Sequence, residues 1–193
     1  CLPFRPTFSF LSNTRNPQNS IMDPSPGLTL ATLFADFGMI LFALILVLLN
    51  GFFVAAEFAM VKLRSTRVEA IAEQHGWRGQ ILRTVHSQLD AYLSACQLGI
   101  TLASLGLGWV GEPAFAHILE PLLDAVGVQS AEVIKGVSFF AAFFVISYLH
   151  IVVGELAPKS WAIRKPELLS LWTAVPLYLF YWAMYPAIYL LNA

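Results

Sequence analysis

Charge is what this sequence has least of. Only 12% of its 193 residues are Asp, Glu, Lys or Arg, about half the ~25% usual in a soluble domain, while 58% are hydrophobic. A soluble fold of this length could not hide that much apolar surface, so lipid is the expected solvent. Cysteine is scarce too. Cys1 and Cys96 are too few for a disulfide framework, and Cys96, inside an apolar run, reads as a small buried thiol. A net charge of −1 gives no sign of a polyanion partner, and no nucleic acid is expected. Nothing resembles a nucleophile motif, a phosphate loop or a zinc site; Gly106 and Gly108 lead into Trp109, not into a phosphate-cradling pattern. The expectation is that the protein is not an enzyme.

What the chain does have is long uncharged runs. Residues 37–56 give 20 without a charge, 91–111 give 21, and 136–154 give 19 interrupted only by His150. A helix of about 20 residues spans roughly 30 Å, the thickness of a bilayer core. A fourth run, 168–193, has 26 residues and carries Pro176 and Pro186; it either spans or forms a broken hairpin near one surface. The runs do not alternate apolar and polar residues as barrel strands would. The expected fold is therefore an all-α integral membrane bundle of three transmembrane helices plus a proline-broken fourth segment. Residues 1–21, rich in Ser, Asn, Pro and Phe, show no periodicity and are expected to lie outside the fold, with Met22 as the natural start. Residues 62–90 look amphipathic, with Val68, Ile71, Ile81, Leu82 and Val85 among charges, and suit the membrane surface.

Basic residues set the orientation. Lys62, Arg64, Arg67, Arg78 and Arg83 lie between the first two runs. Between the second and third stands only Lys135, against Glu112, Glu120, Asp124 and Glu132; Lys159, Arg164 and Lys165 follow the third. The pattern places a multi-pass protein in the cell membrane with its amino terminus outside and its first loop cytoplasmic.

Polar groups at membrane depth carry the candidate chemistry, because hydrocarbon penalises them unless they are paired. Asn50 and Glu57 stand seven apart, nearly on one helix face. They read either as part of an ion path or as interhelical glue with an interfacial carboxylate near Lys62. In the second run Ala95, Gly99 and Ala103, with Gly108 on a neighbouring row, allow close helix packing. Ser94, Gln97, Thr101 and Ser104 offer oxygens to a hard cation, or bond their own helix backbone. The third run ends in His150-Ile151-Val152-Val153-Gly154-Glu155-Leu156-Ala157-Pro158-Lys159. Pro158 has no N–H, so the Gly154 carbonyl loses its usual helical donor. That carbonyl beside the Glu155 carboxylate suits Mg²⁺ or Na⁺ better than a soft metal. The competing reading is a plain helix stop with Glu155 paired to Lys159. His150, with no second histidine at ligand spacing, reads as a hydrogen-bonded packing residue.

Three stretches together resemble a known family. Residues 50–59 (NGFFVAAEFA), 89–99 (LDAYLSACQLG) with Gly111-Glu112-Pro113, and 154–160 (GELAPKS) are similar to the helix signatures of the CorC/HlyC (CNNM) family, of hemolysin-like subtype. The resemblance covers 22–193. It implies a dimeric transmembrane domain linked to Mg²⁺ transport, with export coupled to Na⁺. A cytoplasmic CBS pair, through which nucleotide would bind, and a CorC-type domain ordinarily follow; these 193 residues contain neither. On this reading Glu155, the Gly154 carbonyl, Thr101, Ser104 and Asn50 are the metal ligands, and Glu57, Pro158 and Lys159 surround or gate them. The chain departs from the family pattern at Val54, Ala55 and Ala56, where a serine is expected, and at Thr101 and Ser104, which stand where asparagines are expected. The alternative function is a non-transporting dimeric membrane anchor or sensor for the cytoplasmic domains.

Overall fold

The computed structural model describes residues 30–125, 127 and 130–192. The expectations for residues 1–21 and for a start at Met22 lie outside the described residues. Among those described, the chain is a succession of helices: α1 (Leu30–Lys62), α2 (Ser65–Gln74), α3 (Gly76–Ser87), α4 (Leu89–Ala125) and α5 (Ala131–Ile151). A π-helical turn (Val152–Leu156) then leads straight into α6 (Ala157–Arg164), followed by α7 (Pro166–Ala183) and α8 (Tyr185–Asn192). Three stretches are long and apolar enough to cross a membrane: Phe37–Lys62, Leu89–Val110 and Lys135–Arg164.

Helix α1 is the central post, packing chiefly on α4 and also on α6, α7 and the π turn. Its buried residues, Ala43, Leu46, Val47, Asn50, Phe53 and Val54, recur at three- and four-residue spacing and form one stripe. The other face exposes Leu41, Phe42, Leu44, Ile45, Leu48 and Leu49. An apolar face of that size would be an aggregation hazard in water. In a bilayer it is simply the outer surface.

Small residues on α4 let α1 approach. Ala95, Cys96 and Ala103 are buried, and a Cβ added to Gly99 would fall 2.5 Å from the Phe53 ring. That ring is braced by Phe52 and Phe180 at centroid distances of 5.2 and 4.7 Å. Gly108, expected to pack on the neighbouring row, is exposed and a Cβ there would meet nothing within 4 Å. The reason is rotational: five residues beyond Ala103 is about 140° round the helix, whereas the row continues at the buried Leu107. Helix α4 also runs on to Ala125, so much of the expected second loop is helical backbone.

The amphipathic stretch folds into a hairpin of α2 and α3. Gly76 opens α3 with φ +54°, a left-handed conformation that favours glycine. Gly79 packs so closely that a Cβ would lie 2.7 Å from the Ala72 Cα. Val68, Ile71, Leu82 and Val85 turn inward to join a core with Tyr92, Ala174 and Leu177. Arg67 ties α2 to α7 through two parallel bonds, its Nε and Nη2 donating to the Glu167 carboxylate at 2.7 and 2.8 Å.

The fourth apolar segment is two helices and not a candidate span. Helix α7 continues through Pro176 although the ring removes a donor to the Trp172 carbonyl; packing on α1, α3 and α4 holds it. The chain turns instead at Met184, two residues before Pro186. An aromatic ladder of Tyr181, Trp182, Tyr185 and Tyr189 crosses this break at centroid spacings of 5.7 to 6.4 Å.

Two outcomes are expected. Gly99→Ala forces a methyl against a braced, buried ring and should cost about 1–3 kcal/mol, read as a lower melting temperature in detergent. An unchanged melt would mean that the Phe53 ring moves freely. The Arg67 hydrogen bond holds Glu167 below the usual carboxylate range. Its small stabilisation is therefore present above the unfolded carboxylate pKa and is lost as pH falls through the depressed folded value. The melting difference between wild type and Glu167→Gln should vanish on acidification; a difference that grew would reverse the sign.

Candidate functional site

The site is built where α1, α4 and the π turn meet. In the turn the Ala157 N–H donates to the Val152 carbonyl, five residues back. This wider ring carries the helix past Pro158 into α6. The helix stop of the competing reading therefore does not occur at Pro158: the third span is a continuous helix with a π bulge, a feature common at functional sites.

Pro158 cannot supply the i+4 donor to the Gly154 carbonyl, and that oxygen is met by another helix. The Asn50 Nδ2 of α1 donates to it at 2.9 Å. On its other side, the Asn50 Oδ1 accepts from the Ser104 Oγ of α4 at 3.4 Å. Asn50 is only 1% exposed, so this amide joins three elements inside an apolar interior. Glycines make the approach possible. A Cβ on Gly154 would lie 3.2 Å from the Asn50 Nδ2, and one on Gly51 would lie 3.0 Å from the Pro158 Cγ.

The hydrogen-bonded packing that sequence context suggests for His150 does not extend to its Nδ1. Its Nδ1 is buried and has no hydrogen-bond partner among the described residues. It stands 3.6 Å from where a Cβ of Gly154 would be, one helical turn earlier on the same face. Beside it lies a cavity of about 320 Å³ whose polar lining comes from Ser104, Ser147 and His150, with Phe139, Phe143 and Ile146 completing the wall. A polar residue one turn before the Gly-Glu pair was the available signal.

Other candidates are placed differently. Thr101 is exposed and its Oγ1 donates to the Gln97 carbonyl at 2.8 Å, within its own helix. Ser94 likewise bonds the Asp90 carbonyl at 3.1 Å. Glu155 is exposed, adjoining the Gly154 carbonyl in sequence, with no ion pair among the described residues. Lys159, the partner expected under the helix-stop reading, lies instead over the Phe58 ring at 4.5 Å. Glu57 is half-buried on α1 and makes no ion pair with Lys62; Lys159 is the charge that acts on it. Val54, Ala55 and Ala56 are buried in the packing of α1.

Among the described residues, no group of three or more His, Cys, Asp or Glu comes together. The arrangement is thus a cluster of neutral oxygens, with one carboxylate next to it in sequence and one imidazole close by. Such donors suit a hard cation held loosely, not a structural zinc.

Residues 41–193 match the family model described as the cyclin M transmembrane N-terminal domain, CNNM. UPF0053 protein YhdT of Bacillus subtilis is 49% identical over 148 residues, which cover 77% of this chain and 32% of that protein. UPF0053 protein YrkA of the same organism is 47% identical over 155 residues, 80% of this chain and 35% of that one. The uncharacterized protein Rv1841c of Mycobacterium tuberculosis is 37% identical over 142 residues, 74% and 39% of the two chains. The chain thus spans about a third of the length of these curated relatives.

Asn50→Ala is expected to leave the Gly154 carbonyl unsatisfied at about 1–3 kcal/mol, seen as a lower melting temperature. Asn50→Asp sets an acceptor against that carbonyl and should be at least as damaging at neutral pH. Wild-type melting in both variants would show that the amide bridge contributes nothing.

Proposed function

We propose that this chain, which belongs to the CNNM family of transmembrane domains, is the membrane domain of a Mg²⁺ transporter that works by Na⁺-coupled export. The observation that carries the reading is the Asn50 amide, which links the Gly154 carbonyl through its Nδ2 and the Ser104 Oγ through its Oδ1 where α1, α4 and the π turn meet. These are hard oxygens, and the carboxylate of Glu155, next to Gly154, supplies the charge that a divalent ion needs. A single carboxylate favours binding loose enough for release, as transport requires.

The geometry also suggests how occupancy reaches the helices. A cation drawn to the Gly154 carbonyl competes with the Asn50 N–H for the same oxygen. Binding would weaken the tie between α1 and the third span, and departure would restore it. Thr101 can offer a lone pair while it donates to Gln97, but it is exposed and no hydrogen bond links it to Asn50 among the described residues, so it contributes less than the other oxygens. Glu57, Lys159 and Pro158 belong to the surroundings: the first two as the charges flanking the exit, the third as the cause of the free carbonyl. The reading includes a multi-pass placement with the amino terminus outside and the first loop cytoplasmic, and assembly as a homodimer. Nucleotide acts only through a cytoplasmic CBS pair.

One observation favours a second reading, a non-transporting membrane anchor or sensor. The Asn50 amide already satisfies a carbonyl that proline orphaned, and Val54 to Ala56 add no oxygens. Flux separates the two. Vesicles carrying the chain, or a longer form with the cytoplasmic domains, should move Mg²⁺. Glu155→Gln should abolish both the flux and the protection that Mg²⁺ gives against thermal unfolding. Neither flux nor Mg²⁺-dependent protection in the wild type would leave only the anchor.

A further inference from the structure

A second cavity, of about 500 Å³, lies between the α2–α3 hairpin and the start of α7, away from the ion site. Its hairpin wall is largely polar and basic, with Arg67, Gln74, His75 and Arg78; its α7 wall is apolar apart from Glu167, with Leu168, Leu171 and Trp172. We propose that this cavity binds the phosphate headgroup of an anionic phospholipid.

The charges around it are unequal. Arg67 is neutralised by its two bonds to Glu167, and Arg83, outside the cavity, pairs with Glu69 at 3.1 Å. Arg78 has no carboxylate partner among the described residues; its guanidinium lies over the Trp172 ring at 5.6 Å. The remaining carboxylates of the hairpin turn away. On α2 the cavity takes residues 67, 70, 71 and 74; at 100° per residue Glu69 falls roughly opposite them and Glu73 on the flank, about 110° from their centre. The cavity therefore presents one uncompensated planar cation, with the spare donors of Arg67 and the Gln74 amide beside it. A guanidinium fork is the group best matched to a phosphate.

Position selects the lipid over a free anion. The first span ends at Lys62 and the third at Arg164, so Arg67 and Glu167 stand just past two membrane exits. Trp77 and Trp172 are 63% and 64% exposed, as suits indoles at the headgroup level. The Leu168, Leu171 and Trp172 wall would be wasted on inorganic phosphate, but it gives the upper acyl chains of a phospholipid a surface. Basic pockets beside transmembrane helices bind acidic headgroups by this combination.

The test is thermal melting of the purified chain in a nonionic detergent, with phosphatidylglycerol, phosphatidylcholine or inorganic phosphate added. Phosphatidylglycerol should raise the melting temperature by about 5 °C, and the other two by much less. Arg78→Gln should lose more than half of that shift, while Arg83→Gln, whose cation lies outside the cavity, should keep it. If Arg78→Gln does not melt cooperatively, native mass spectrometry of Arg78→Lys replaces it. Fewer retained phosphatidylglycerol molecules are then expected, and no decrease overturns the site. Equal stabilisation by phosphatidylcholine would reduce the effect to bulk lipid. Equal stabilisation by phosphate alone would make the cavity a free-anion site. Equal losses in Arg78→Gln and Arg83→Gln would mean diffuse attraction. Each of these three results overturns the proposal.

Discussion

The rest of the bundle depends on one hydrogen bond, from the Asn50 amide to the Gly154 carbonyl. Proline removes a backbone donor inside a medium that supplies none, and an unsatisfied carbonyl there is costly. The fold answers with a side chain from another helix. Gly51 and Gly154 ease the reach of Asn50, since a Cβ on either would press within 3.0–3.2 Å of Pro158 or of the Asn50 amide itself. The π turn, the two glycines and the asparagine are thus one device. It fixes the register of the first span against the third, and the Ser104 contact extends that register to the second.

Around this polar point the packing is governed by lipid. With apolar chains outside as well as inside, helices gain little by hiding hydrophobic surface from one another. Close backbone approach and shape matter more. Hence the small residues Ala95, Gly99 and Ala103 of α4 face α1, while large side chains such as Phe140, Phe144 and Trp109 point outward. The hairpin and α7 obey soluble rules in part: an inward apolar set, an outward charged set and exposed ion pairs. That mixture is expected where a bundle meets both headgroups and water.

Much of the fold was visible in the sequence. Three uncharged runs of bilayer length coincide closely with the three candidate spans, because a helix in hydrocarbon must keep charge out along its whole length. The amphipathic stretch at 62–90 was visible as a pattern, though its division at Gly76 was not. The site was visible only in its parts. Asn50, Gly154 and Ser104 stand out as polar or small groups in apolar runs, but 104 residues separate Asn50 from the carbonyl it satisfies. Thr101 looked equivalent to Ser104; three residues apart, one reaches α1 and the other returns to its own backbone.

Composition and run length by themselves determined that the chain belongs in a membrane and located its three uninterrupted spans, because transfer into lipid is summed residue by residue; whether the fourth run crosses was left to the packing of α7 and α8. Tertiary structure alone decided that Pro158 does not end the third helix and that the freed carbonyl finds a donor. It also decided that the His150 Nδ1 is buried with no hydrogen-bond partner among the described residues. Those outcomes depend on where separate helices touch, and contact between distant residues is a property of packing, which no local pattern encodes.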